Sequence, residues 1–138
     1  MSELKKTGAG RRILIVDDDV DFLDITEARL KADGFVVIRC EGQAAAEAFL
    51  EKGEPFDLAI VDLMMEYMDS GFVVSRKIKK LDPNKPVIMA TGVEAETGLS
   101  FSSGTREEKA WIKADVMLEK PLRYDQIKKH IDMLLPVE

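Results

Sequence analysis

Five short apolar segments recur along this chain: Ile13-Leu14-Ile15-Val16, Phe35-Val36-Val37-Ile38, Leu58-Ala59-Ile60-Val61, Val87-Ile88-Met89-Ala90 and Val116-Met117-Leu118. Most are rich in Val and Ile, and apolar residues do not alternate with polar ones. That is the pattern of strands buried on both faces, the condition of a parallel sheet covered by helices. Stretches with helical spacing lie between them. Phe22, Leu23, Ile25 and Leu30 mark a first helix that Gly34 stops, and Ala45, Ala48 and Phe49 a second that ends at Gly53. Val74, Ile78 and Leu81 mark a third, ended by Pro83, and Ile127, Ile131 and Leu134 a last, ended by Pro136. The alternation predicts right-handed βαβ crossovers. The expected fold is α/β: a doubly wound, five-stranded parallel sheet with helices on both faces, for which 2-1-3-4-5 is one of the common strand orders.

One connection departs from this rhythm. From Gly92 to Gly104 there is little periodicity, and Gly98, Ser100, Ser102 and Ser103 punctuate the stretch. Thr105-Arg106-Glu107-Glu108 then reads as a capping box, so a long loop followed by a short fourth helix, Thr105 to Lys113, is expected. At 138 residues the chain is one domain's worth. The expected division is a flexible tail over 1–11 and a domain over 12–138. A formal charge of −6 argues against nonspecific nucleic-acid binding, which needs clustered cations. The single cysteine, Cys40, excludes an internal disulfide. No apolar run approaches the length of a membrane span and the N-terminus lacks a signal segment, so a cytoplasmic protein without membrane contact is expected.

Ligands of open α/β sheets bind outside the carboxyl ends of the strands. There the sequence places Asp17, Asp18 and Asp19 after the first run, Asp62 after the third, Thr91 after the fourth, and Glu119, Lys120 and Pro121 after the fifth. Order 2-1-3-4-5 makes the first and third strands neighbours and gathers Asp17, Asp18 and Asp62. Carboxylates so gathered repel one another unless a cation neutralises them. A shallow, all-oxygen site suits Mg²⁺, which takes one or two carboxylates plus phosphate oxygens. A lysine and a hydroxyl facing the same point would hold the remaining oxygens of a phosphoryl group. The set points to phosphoryl transfer onto a carboxylate, with Asp62 as nucleophile and the metal and Lys120 neutralising charge. Asp19 reads more simply as a helix N-cap.

In these segments the chain resembles the response-regulator receiver domains of two-component signalling. The matching stretches are Ile13–Asp19, Phe56–Gly71, Pro86–Gly92 and Glu119–Leu122, and the likeness runs from Arg12 to Leu135. It implies a flavodoxin-like fold, with sheet order 2-1-3-4-5, and Asp62 as phosphoacceptor. It also implies a Mg²⁺ (or Mn²⁺) site made by Asp17, Asp18, Asp62 and the backbone carbonyl of Met64. Thr91 and Lys120 would bind the phosphoryl group, and Pro121 would follow a cis peptide. The implied partners are a sensor histidine kinase or phosphotransfer protein and an unknown downstream protein, with no nucleic acid and no membrane. The state would be a monomer or a phosphorylation-dependent dimer. With no output domain after Pro136, a stand-alone receiver acting through protein contacts is expected, a signalling phosphoacceptor that catalyses only its own phosphorylation and dephosphorylation.

The chain departs from the family pattern at four places. Glu66 stands where a proline is frequent, and Ser70 is inserted between Asp69 and Gly71. Met117 replaces the usual switch aromatic, leaving Thr91, Met117 and Trp111 as switch candidates. The 92–104 stretch is long, and Leu122 replaces a typical Phe. Two other functions compete. A small phosphohydrolase would use Asp17 as nucleophile and Asp19 as acid, and a receiver-like scaffold would ignore phosphate altogether.

Overall fold

Each apolar segment forms a strand. The computed structural model describes residues 10–63, 65, 70–91, 115–120 and 122–135. In chain order the elements are β1 (Arg12–Val16), α1 (Val20–Ala32), β2 (Val36–Cys40), α2 (Gln43–Lys52), β3 (Leu58–Asp62), α3 (Ser70–Leu81), β4 (Val87–Thr91), β5 (Val116–Glu119) and α4 (Tyr124–Leu134). The five strands make one sheet of order β2-β1-β3-β4-β5, every pair parallel, as the sequence predicted. The fourth connection, its short helix and Trp111 lie outside the described residues. Gly10 and Arg11 already belong to the fold: Gly10 N–H donates to Gly34 O at 3.0 Å, and Arg11 O accepts from Val36 N–H at 2.8 Å.

Alternate strand residues face opposite sides, and each side carries its own core. Leu14, Val16, Ala59, Val61 and Val87 meet Ala46, Phe49, Leu50, Val74 and Ile78 of α2 and α3. Ile13, Ile15, Leu58, Ile60 and Ile88 meet Leu23, Leu30, Ile127 and Ile131 of α1 and α4. The central strand β3 is buried throughout, whereas the edge strand β2 is buried fully only at Cys40, its last residue. Three helical expectations need correcting. In α2 the buried stripe is Ala46, Phe49 and Leu50; Ala45 and Ala48 face outward, because the same spacing shifted by one residue brings the larger side chains inward. In α1 the stripe is Leu23, Thr26 and Leu30, and Ile25 is 61% exposed on the opposite side. Leu81 ends α3 at 65% exposure, one turn beyond the sheet's cover.

Three local devices fix the elements that carry the strand ends. Gly34, at φ 97°, closes α1: its N–H bonds Lys31 O and the Phe35 N–H bonds Leu30 O, the paired bonds of a Schellman stop. Gly71 starts α3 hard against β3, donating to Leu63 O at 2.7 Å. A Cβ there would lie 2.5 Å from both Asp62 O and Leu63 Cα, so only glycine fits. Asp115 fixes the start of β5. Its carboxylate accepts from Val87 N–H at 2.8 Å and from the Lys79 ammonium at 2.7 Å, and its own N–H donates to Val87 O at 2.9 Å.

Candidate functional site

Strand register assembles the site. Val16 pairs with Val61, so the next residues, Asp17 and Asp62, stand side by side at the sheet's carboxyl edge. Asp62 pairs with Ala90, and Ala90 with Leu118, which carries Lys120 to the same edge two residues later. Asp17 is 1% exposed and Asp62 5%, while Asp18 is exposed. One carboxylate oxygen from each of the three lies within 4.8 Å of the others.

Asp17 is held on both oxygens. Its Oδ1 accepts from Asp19 N–H at 2.9 Å and its Oδ2 from Lys120 Nζ at 3.1 Å. Lys120 Nζ also lies 3.3 Å from Asp62 Oδ1, so one ammonium bridges two buried carboxylates. Asp19 caps α1, its Oδ1 accepting from Phe22 N–H at 3.2 Å, as its place after the first strand predicted.

The electrostatics come from this packing. Burial pushes the Asp62 carboxyl up from its ordinary 3.8 to about 7. The Asp17 charge and hydrogen bond push the same way, and Lys120 pulls back. Burial opposes the Lys120 charge, yet Asp62 and Asp17 outweigh it and raise its pKa. Three carboxylates against one ammonium leave a net negative, oxygen-only cluster. That donor set fits a hard divalent cation such as Mg²⁺, which tolerates a partly wet site.

Three of the other sequence-predicted residues have described positions in the sheet or its core. Thr91 ends β4, paired with Glu119. Met117 sits half-buried in β5, paired with Met89, and Leu122 packs on the α1/α4 core, keeping the apolar character of the Phe it replaces. Met64, Glu66, Trp111 and Pro121 lie outside the described residues. Sequence reasoning missed two neighbours of the site. Phe22 read only as a core residue, yet its ring centroid lies 5.4 Å from Lys120 Nζ. Asp19 was the signal for it, because a cap there makes Phe22 the third residue of α1, next to the site. Gly71 marked a family segment, but nothing in the sequence showed how closely it approaches Asp62.

Comparison with known proteins identifies the family. The family model for the response regulator receiver domain matches residues 13–132. This chain belongs to that family, whose members bind Mg²⁺ through acidic residues and interact with histidine kinases or phosphotransfer proteins as signalling phosphoacceptors. It is 28% identical to the response regulator receiver protein CpdR of Brucella abortus, over 91% of this chain and 97% of that one. It is 33% identical to the transcriptional regulatory protein ZraR of Salmonella typhimurium over 89% of its own length, but spans only 26% of that relative. Among solved structures, a CheY-like receiver domain from Methanospirillum hungatei shares 30% identity at a TM-score of 0.71, covering 91% of this chain and 94% of its own. The response regulator TrrA of Thermotoga maritima, solved in complex with Mg(2+)-BeF, shares 25% identity at a TM-score of 0.70, with 91% and 99% covered. Among the described residues no helix is long and apolar enough to cross a membrane.

Proposed function

We propose that Asp62 accepts a phosphoryl group from the phosphohistidine of a sensor histidine kinase or phosphotransfer protein. The observation that carries this is the Lys120 ammonium, 3.1 Å from Asp17 and 3.3 Å from Asp62 beside a third carboxylate. Such an arrangement is costly to maintain without a ligand to neutralise it. Asp17, Asp18, Asp62 and the Met64 carbonyl would hold Mg²⁺ (or Mn²⁺). When bound, the ion supplies charge neutralisation for the carboxylates and for the phosphoryl oxygens.

The chain's own residues do the rest. A carboxylate oxygen of Asp62 forms the new P–O bond as the donor's P–N bond breaks. The electron pair of that bond stays on the imidazole nitrogen, which takes up a proton from solvent. Lys120 gives its Asp62 contact to a phosphoryl oxygen, and the Thr91 hydroxyl donates to another. The new charge pulls on β4 and β5 through Thr91 and Lys120. Together with Met117 and Trp111 as switch candidates, this biases a two-state equilibrium read by a downstream protein.

The test is mass spectrometry after incubation with a small phosphodonor and Mg²⁺. Label on Asp62, absent in Asp62→Asn and without the metal, is expected. Phosphate release that survives Asp62→Asn but is lost in Asp17→Asn would replace this reading with the phosphohydrolase one. A labelled protein whose amide exchange and partner binding are unchanged would make it a scaffold.

A further inference from the structure

Among the described residues the Lys120 ammonium has three neighbours. Two are the carboxylates of Asp17 and Asp62; the third is the Phe22 ring, with its centroid 5.4 Å away. Phe22 is fixed at both ends. Its backbone N–H is capped by Asp19, and its side chain packs on the α1/α4 core. Lys120 is not so fixed: its side chain is 28% exposed, on a flexible four-carbon stem. A ring held in the core thus lies against a cation on a flexible stem, whose position the chemistry depends on.

We propose that Phe22 is a positioning residue for Lys120. It holds the ammonium at the site through the ring's quadrupole, both while it bridges Asp17 and Asp62 and while it shifts onto a phosphoryl oxygen. Hydrogen bonds to Asp62 are directional and must break in that shift. Attraction to a ring face is broad, acts out to about 6 Å, and survives small displacements. The ring therefore limits the space the stem explores after the carboxylate lets go. The inference rests on Asp62 as the acceptor.

The test separates electrostatics from shape. In the full chain, position 22 is filled with phenylalanine and its mono-, di- and trifluoro analogues, which change ring volume little but weaken the quadrupole stepwise. Phe22→Leu and Phe22→Trp complete the set. Three quantities are read: the rate of Asp62 labelling by acetyl phosphate at saturating Mg²⁺, the Mg²⁺ affinity by calorimetry, and the NMR shift of Lys120 in reductively methylated, metal-free protein. The methylated amine keeps its charge, and its signal is assigned with Lys120→Arg.

The expected result is a labelling rate that falls with each fluorine, to about a third to a tenth at the end of the series. Mg²⁺ affinity stays constant, Trp matches or exceeds Phe, and the ring-current shift of Lys120 is lost in Phe22→Leu. A rate flat across the fluorinated series overturns the proposal, even if Phe22→Leu is slow, because that pattern means the ring only fills space. A wild-type protein that takes no label on Asp62 overturns the acceptor reading instead. The Lys120 shift then still decides whether the ring holds the cation.

Discussion

Asp62→Asn should stabilise the metal-free protein at neutral pH, although it removes one partner of an ion pair. Asp62 is buried beside Asp17, and its carboxyl stands near 7 rather than 3.8. The folded state therefore binds more protons than the unfolded chain between about pH 4 and pH 7, and stability falls as pH rises through that window. At about 1.4 kcal/mol for each tenfold change in protonation, the ceiling on this loss is about 4 kcal/mol. Water reaching the cluster beside the exposed Asp18 and the half-exposed Lys120 lowers it, and a gain of about 1–2 kcal/mol is expected. Asparagine keeps the shape and still offers Lys120 an oxygen. The assay is urea unfolding of both proteins in EDTA from pH 5 to 8. The difference between them should be small at pH 5 and grow toward pH 8; it cancels contributions common to both, such as those of Glu27 and Glu47, whose carboxyls the bonds from Lys31 and Lys77 hold below the ordinary value. Adding Mg²⁺ should then favour the wild type, by about 2.7 kcal/mol at a hundredfold excess over its Kd. A variant no more stable than wild type at pH 8 in EDTA, or a difference independent of pH, would refute the reasoning.

Other substitutions probe the supports of the site. Gly71→Ala forces a Cβ onto the backbone of Asp62 and Leu63, which cannot yield as a side chain would. It should cost about 1–3 kcal/mol in urea unfolding and slow Asp62 labelling, and unchanged stability would mean that α3 moves freely. Tyr124→Phe removes the 2.6 Å bond from the phenol to Asp33 Oδ2, which ties α4 to the end of α1. The loss should be about 1–2 kcal/mol. Burial and the bond to Asp33 hold the Tyr124 phenol protonated above its ordinary 10. The wild type's advantage should therefore persist below pH 10 and decline above it, as the unfolded chain ionises, and an advantage that grows there would contradict this. Met64→Asn should shorten the half-life of the phosphorylated protein, since methionine offers no group to orient water and asparagine does. A longer half-life would reverse that reading.

Much of this was legible in the sequence, for identifiable reasons. Non-alternating Val- and Ile-rich runs have few fates other than central strands, and helices between them make the sheet parallel; the order 2-1-3-4-5, one of two common doubly wound orders, came with the family resemblance. Asp17, Asp18, Asp62 and Lys120 could be placed together because parallel register aligns strand ends, and a strand end is a sequence position. Which face of a helix turns inward is less legible. Ala45, Ala46, Ala48, Phe49 and Leu50 support two stripes one residue apart, and packing against β2 and α3 chooses between them. Ile25 and Leu81 fit a periodic pattern yet are exposed, Ile25 on the face of α1 turned from the core and Leu81 at the end of α3. Contacts between chain segments that share no pattern were invisible: Phe22 beside Lys120, Gly71 against the Asp62 carbonyl, and Arg39 bridging Asp24, Glu27 and Glu41.

The clasp at Asp115 bears on how such a chain can diverge. β4 ends at Thr91, and β5 begins just after Asp115, a residue bolted to Val87 and Lys79. Closing a loop between two fixed ends costs little more as it lengthens, about 0.6 kcal/mol for each doubling. Lys120 is placed by β5, which starts from Asp115, so its address does not depend on how much chain is spooled out before that clasp. The intervening stretch can be lengthened, shortened or exchanged while the charge-bearing residues stay where they are. Chimeras that graft foreign segments between Thr91 and Asp115 should therefore keep Lys120 beside Asp17 and Asp62.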